Sequence, residues 1–269
     1  MPVSKELFEI VTVRGGARSL RSREHGETFH PGIGPMEEAR VLHVAQHRLE
    51  ERVRGDFLIW DVGLGAGANA LAVIEAVLGM EVDAKVVVQS FDQTLEPLRF
   101  ALMHAEELEY PVRWRAEIEE LLERGRVEIG RVAWEVELGD FRERRDNGQR
   151  PGAVLFDPYS PAANPGMWRQ EIFRAIRESA DEDCTLTSYS RSTVTRARLM
   201  LAGWCVGRGA ATGEKVETTV AATRMERLRE PLGRDWLERV RRSTAAGLTE
   251  DGMTVEEVVG KLEVCKQMR

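Results

Sequence analysis

Two short segments carry residue types whose spacing can do chemistry. The first is FLIWDVGLGAGANALAVIEAVL, residues 57–78. An apolar run, Phe57 to Trp60, reads as a buried strand. It meets an acid, Asp61, and then a glycine ladder, Gly63, Gly65 and Gly67, before an amphipathic helix, Ala70 to Leu78. Strand, glycine turn and helix form the nucleotide-binding geometry of a doubly wound α/β sheet. Glycines let the backbone turn sharply and let a ligand approach it without a Cβ in the way. The helix N-terminus offers N–H groups with no partner of their own.

Gly63, Gly65 and Ala68 also satisfy the dinucleotide spacing G-x-G-x-x-G/A, which leaves an NAD(P)-dependent oxidoreductase open. A glycine turn that holds no ligand is a third reading. Two features favour S-adenosyl-L-methionine as the cofactor. Asp61 stands two residues before the first glycine, where a carboxylate can face a cationic ammonium, and the helix start has no basic residue to pair with a pyrophosphate.

The second segment is VLFDPYSPAANPGMW, residues 154–168. Pro158, Pro161 and Pro165 fix φ along it and make a stiff loop. It follows a short apolar strand and displays Asp157, Tyr159, Asn164 and Trp168. An acid, an amide and aromatics on such a loop suit methylation of an amine. The carboxylate can accept an N–H and orient the nitrogen lone pair. Tyr159 or Trp168 can lean on a planar or cationic substrate. The plainer reading makes Asp157 a turn residue.

These groups need a sheet to position them. Residues 6 to 30 read as a β-hairpin and residues 35 to 54 as a helix opened by Pro35, with Glu37 and Glu38 at its positive end. Strands are expected at 57–60, 84–91, 132–138, 153–156 and 185–189, with helices between them at 94–126, 167–179 and 192–202. Residues 204–208 and 216–223 suit a closing antiparallel hairpin. The alternation predicts an α/β fold with a mostly parallel, seven-stranded Rossmann-like sheet and its ligands at the carboxyl ends of the strands. Asp92 then ends the second core strand, where ribose hydroxyls are held; a turn or capping role for it is also open. The expected organisation is an N-terminal extension (1–54), a core (55–225) and a helical tail (226–269).

Composition narrows the class. Hydrophobic residues at 42% and charged residues at 31% describe a globular chain with a sizeable core. Three cysteines with no paired spacing fit a reducing cytoplasm and no metal site. No apolar run approaches the roughly 20 residues of a membrane span, and the first residues lack a signal-peptide layout. The net charge of −7 argues against a uniformly basic surface, yet arginines gather at 224–242, interleaved with acids. That stretch reads first as a solvated, salt-bridged helix. His43 and His47, four apart, have zinc-like spacing but no third ligand, and a surface or half-buried pair is expected. Trp60, Trp134 and Trp204 are expected in the core.

Five stretches together resemble one known family. They are Asp61 to Gly67, Gly139-Asp140, the loop FDPYSPAANPGMW, the run LTSYSRSTVTRARLMLAGWCV, and ETFHPGIGPMEEARV with Glu38. They are similar to the MnmC-type tRNA wobble-uridine aminomethyl methyltransferases over roughly residues 20–225, with the proline loop as the specific part. The resemblance implies a class I S-adenosyl-L-methionine-dependent methyltransferase fold with an N-terminal extension. It implies tRNA as partner and methylation of a primary aminomethyl group. Asp157 would be the catalytic carboxylate. Glu38, Asp61, the three glycines, Asp92, Asp140 and Phe141 would meet the cofactor, and Tyr159, Asn164 and Trp168 the substrate. Asp92 stands where the family more often has Glu. Residues 226–269 are too few for the flavin oxidase domain of the bifunctional members, so a stand-alone methyltransferase is expected.

Overall fold

The computed structural model describes residues 7–143, 148–212, 216–244, 248 and 252–268. Strands β1 (Phe8–Thr12) and β2 (Arg18–Ser22) form the expected antiparallel hairpin. The central sheet contains β3 (Phe57–Val62), β4 (Val86–Asp92), β5 (Arg126–Ile129), β6 (Val132–Leu138), β7 (Ala153–Phe156), β8 (Thr185–Ser188), β9 (Cys205–Gly209) and β10 (Thr218–Ala222). Their order across the sheet is β5-β6-β4-β3-β7-β8-β10-β9. The five strands from β6 to β8 run parallel, and an antiparallel strand or pair closes each edge.

The sheet thus has eight strands, one more than expected. The extra one is β5, which leaves the helix Arg115–Arg124 through Gly125 (φ 73) and pairs back on β6. Chain order reverses between β3 and β7, with β4 and β6 laid down on one side and β7 and β8 on the other, so the crevice at the carboxyl ends of β3 and β7 is the switch point where such sheets bind ligands. The glycine turn, Asp92 and Asp157 all emerge at that edge.

Successive residues of a strand face opposite sides. On β3, Ile59 joins Val88 and Leu155 under the helices Ala68–Leu78 and Arg115–Arg124. Trp60 and Val62 join Val154 and Phe156 on the other face, against the helices Gln170–Ser179 and Thr193–Leu201. The tail packs into this second layer through Trp236, Leu237 and Val240 of Asp235–Arg241 and Val258 and Leu262 of Val255–Glu263. Trp60, Trp134 and Trp204 are all buried.

The helix expected over 35–54 is broken. It runs Pro35–Ala39, widens through a π-type turn at Arg40–Val44, and continues Ala45–His47. Arg48 then adopts a left-handed conformation (φ 52) before Leu49–Arg52. This changes the reading of the histidine pair. His43 and His47 are not at the surface: they are 0% and 1% exposed. Their rings stack with centroids 6.5 Å apart and lie on β8. The Thr187 hydroxyl lies 2.7 Å from His43 Nδ1 and 2.9 Å from His47 Nε2, while His47 Nδ1 lies 2.7 Å from Thr185 Oγ1. Two strand threonines supply hydrogen-bonding hydroxyls for the two buried rings, and of their nitrogens His43 Nε2 is left without a partner.

Candidate active site

The turn after β3 is held from both sides. Asp157 donates its backbone N–H to the Val62 carbonyl at 2.9 Å, so the proline loop starts against the glycine turn. Gly63 has φ +98, and a Cβ there would sit 2.7 Å from the Asp157 carbonyl oxygen. Gly65 has φ +51, and a Cβ there would meet the Phe29 ring at 3.2 Å. Both positions therefore require glycine, by conformation and by space.

Asp157 is the most constrained side chain of the set. Its carboxylate is 15% exposed. Oδ2 accepts the Asn69 side-chain amide at 2.7 Å, and His30 Nε2 lies 3.5 Å away. His30 Nε2 also lies 3.1 Å from Asn69 Oδ1, so acid, amide and imidazole form a closed triangle. Burial alone would raise the Asp157 carboxyl. The hydrogen bond and charge of His30, with His43 and Asn69 behind them, outweigh it and hold Asp157 below the ordinary carboxylate range. Burial alone would lower His30, and the partnership with Asp157, helped by Glu38, raises it instead. The result is a carboxylate kept charged by an imidazole that favours its protonated form. His30 itself sits at φ +48, an uncommon conformation for a non-glycine residue.

His30 is the functional candidate that sequence reasoning passed over. It lies between Phe29 and Pro31, inside the ETFHPGIGPMEEARV stretch that carries part of the resemblance, but no catalytic spacing singles it out there. Glu38 holds this stretch in place: it is 3% exposed, and its Oε2 accepts the Gly32 N–H at 3.1 Å.

Asp61 lies within β3 and is fully buried. Ser90 Oγ donates to its Oδ2 at 2.7 Å and accepts from Trp134 Nε1 at 2.9 Å. Its Oδ1 has no hydrogen-bond partner. Burial pushes its pKa up to about 7 against the pull of Ser90. Asp92 stands at the tip of β4; its Oδ2 accepts the Gly65 N–H at 2.9 Å and its Oδ1 the Gln93 N–H at 2.7 Å. It does not cap the next helix, which starts at Glu96 behind Leu95. Asp140, after β6, is bound by Arg142, whose Nε donates to both oxygens at 2.8 and 2.9 Å, and this lowers its pKa. Phe141 packs edge-on against Trp60 and Phe91.

The proline loop is less open than expected. Trp168 is 1% exposed, edge-on to Phe156 and Tyr189, and its Nε1 donates to the Tyr159 carbonyl at 2.8 Å. It braces the loop from the core side and presents no face to a ligand. Tyr159 leans on His25 and Phe29, with centroids 4.2 and 5.5 Å away. Asn164 is half-buried; its backbone N–H donates to the Ser160 carbonyl at 2.8 Å. Glu27 clasps the loop from the extension, accepting the Ser160 N–H at 3.0 Å and the Ser160 hydroxyl.

These residues suit an S-adenosyl group. The glycines keep the backbone bare, Asp92 places a carboxylate at the strand tip, and the orphaned, buried Oδ1 of Asp61 is an acceptor that lacks a donor. Among the described residues, no three His, Cys, Asp or Glu side chains gather as a metal site, and no helix is long and apolar enough to cross a membrane.

Comparison with known proteins separates the readings that the glycine turn left open. Residues 106–224 match a family model described as S-adenosyl-L-methionine-dependent methyltransferase. Two bifunctional proteins for tRNA 5-methylaminomethyl-2-thiouridine biosynthesis, both MnmC, are similar to this chain. That of Azoarcus sp. is 30% identical over 72% of this chain and 32% of its own length. That of Burkholderia vietnamiensis is 29% identical over 69% and 31%. The chain thus spans about a third of the length of these relatives. The crystal structure of MNMC2 from Aquifex aeolicus superimposes with a TM-score of 0.72 at 25% identity, covering 97% of this chain and 85% of that one. The dinucleotide reading of the turn falls away. Over residues 106–224 the chain matches S-adenosyl-L-methionine-dependent methyltransferases, and over most of its length it is similar to about a third of MnmC and to MNMC2.

Proposed function

We propose that the chain methylates a primary amine, the aminomethyl group on the wobble uridine of tRNA. One observation carries the choice of an amine: a charged carboxylate, Asp157, locked between Asn69 and His30 at the glycine turn. When bound, S-adenosyl-L-methionine supplies a methyl carbon already activated by its sulfonium. What is left for the protein is alignment and deprotonation. A primary amine has a solution pKa of about 10 and must lose a proton before it can attack. Asp157 accepts an N–H of the amine and points the lone pair away from the carboxylate. His30, 3.5 Å behind, keeps Asp157 in its charged, proton-accepting form, and the proton taken from the amine leaves through the carboxylate to solvent. Asp61 and Asp92 are the carboxylates set to hold the cofactor, with Glu38 fixing the strand of chain that carries His30.

The wobble uridine comes from the relatives, whose names specify tRNA 5-methylaminomethyl-2-thiouridine biosynthesis. The test is methyl transfer from labelled cofactor to bulk tRNA of a strain lacking this methylation, followed by nucleoside analysis. Label in a methylaminomethyl uridine supports the reading. Label absent from tRNA but transferred to other amines overturns the substrate.

A further inference from the structure

The arginines of the 224–242 stretch pair mostly outside it, with Glu182, Asp183, Glu217 and Glu263, and Arg241 also pairs within it to Glu238. Arg239 reaches away from the tail to Glu217, at 3.6 Å. Glu217 is already engaged twice, by Arg196 at 3.0 Å and Arg208 at 3.3 Å. Arg196 is the anchor: its side chain is 1% exposed, and it donates to Thr219 Oγ1 at 3.0 Å and to the Thr218 carbonyl at 2.7 Å. Three guanidinium groups around one carboxylate leave two positive charges unmatched. Arg242 adds a third; its Nε donates to the backbone carbonyl of Glu238, whose carboxylate is taken by Arg241.

The surplus has a concave outlet. Arg239, Arg242, Thr193, Ser243 and Thr244 line an open surface pocket of about 510 Å³, so its lining residues carry two guanidinium groups and three hydroxyls. These are donors that suit an oxyanion with several acceptor oxygens. The location matters equally. Thr219 of β10 pairs with Ser188 at the carboxyl end of β8, and the next residue, Tyr189, donates its hydroxyl to the Pro158 carbonyl at 3.1 Å. The arginine cluster therefore flanks the Asp157 loop on the same edge of the sheet.

We infer that this pocket is a docking site for backbone phosphate of the RNA substrate, set beside the reacting centre. The inference rests on the tRNA reading above and gives an acidic chain its local means of holding a polyanion. Sequence-independent phosphate contacts position a nucleic acid and make its binding salt-dependent.

The test uses the full chain and its Arg239→Gln/Arg242→Gln variant. Binding of bulk tRNA is measured across a salt series, apart from catalysis, with S-adenosylhomocysteine binding and melting temperature as controls. The expected result is a loss of tRNA affinity of about tenfold or more and a salt slope shallower by about 1 per lost contact, with both controls unchanged. KM for tRNA rises while kcat holds. Arg242→Gln alone, which leaves the Glu217 cluster intact, shows about half the loss. Equal tRNA binding and equal salt slope in variant and parent overturn the inference, as does a parent chain that binds no RNA. A parent that binds RNA through these arginines but methylates none of it leaves the docking site standing and sinks only the proposed reaction.

Discussion

His30 Nε2 lies 3.5 Å from Asp157 Oδ2, and the side-chain amide of Asn69 touches both residues. The pair joins the N-terminal extension to the carboxyl end of β7 across 127 residues of chain. It makes the extension part of the candidate site.

Replacing Asp157 by Ala should remove the proton acceptor and leave the cofactor cradle. Methyl transfer in single turnover should fall by about 10²–10⁴. Calorimetric binding of S-adenosylhomocysteine should stay within roughly threefold of the parent, about 0.7 kcal/mol. Transfer within tenfold of the parent contradicts a catalytic Asp157.

The pair should also leave a signature in stability against pH. His30 is raised above 6.5, so its contribution is complete below 6.5 and is lost as pH rises through its folded value. Asp157 is lowered below 3.8, so its contribution is present above 3.8 and is lost as pH falls through its folded value. Both act together between these limits. The melting-temperature deficit of Asp157→Asn should therefore peak near about pH 5 and shrink towards about pH 8. A deficit that does not vary with pH rules out the ion pair.

Asp61 carries a burial cost that grows with its charge. With a folded pKa of about 7, the folded chain binds the extra proton between 3.8 and 7, so stability falls as pH rises across that window. Asp61→Asn removes the cost. At pH 8 its melting point should exceed the parent's by about 4 °C or more, with the gap closing by about pH 4. S-adenosylhomocysteine should bind at least about tenfold more weakly to the variant. Unchanged affinity would remove Asp61 from the cofactor site.

His43 behaves in the opposite sense. Burial first of all, with the nearby His30 charge, lowers it to about 4. Between 6.5 and 4 the unfolded chain binds a proton that the folded chain refuses, so stability drops as pH falls. The loss is on the order of 3 kcal/mol over the window. His43→Asn should flatten that part of the melting curve against pH; an unaltered slope counts against a neutral, buried ring.

Gly63→Ala tests the contact between the two loops. The left-handed backbone costs at least about 1 kcal/mol for a residue with a Cβ. The methyl would also press on the Asp157 carbonyl, 2.7 Å away. Activity should fall more than thermal stability does, because the displaced group is the loop that carries Asp157. A variant with parent-like transfer shows that the loop tolerates the shift.

Much of this site could be read from the chain because its signals are local. Strands 132–138 and 153–156 lie where their apolar patterns put them, and Asp157 follows the second directly. What escaped was set by distant partners. His43 and His47 look like surface residues until Thr187 and Thr185, about 140 positions later, supply their hydroxyls. His30 means nothing without Asn69 and Asp157. β5 escaped because four residues, RVEI, are too few to show a period. Trp168 read as a rim aromatic by its loop, but an indole two residues before a helix that packs on the sheet is drawn into the core.

The grip of Glu27 on Ser160 orders events during folding. Contacts that close across so long a stretch of chain bear the largest entropic penalty and form late. The sheet must assemble before the hairpin can reach the proline loop. Until it does, His30 has no acid to pair with, and a nascent or clipped chain lacking the first thirty residues would hold its Rossmann-like sheet with Asp157 unbraced.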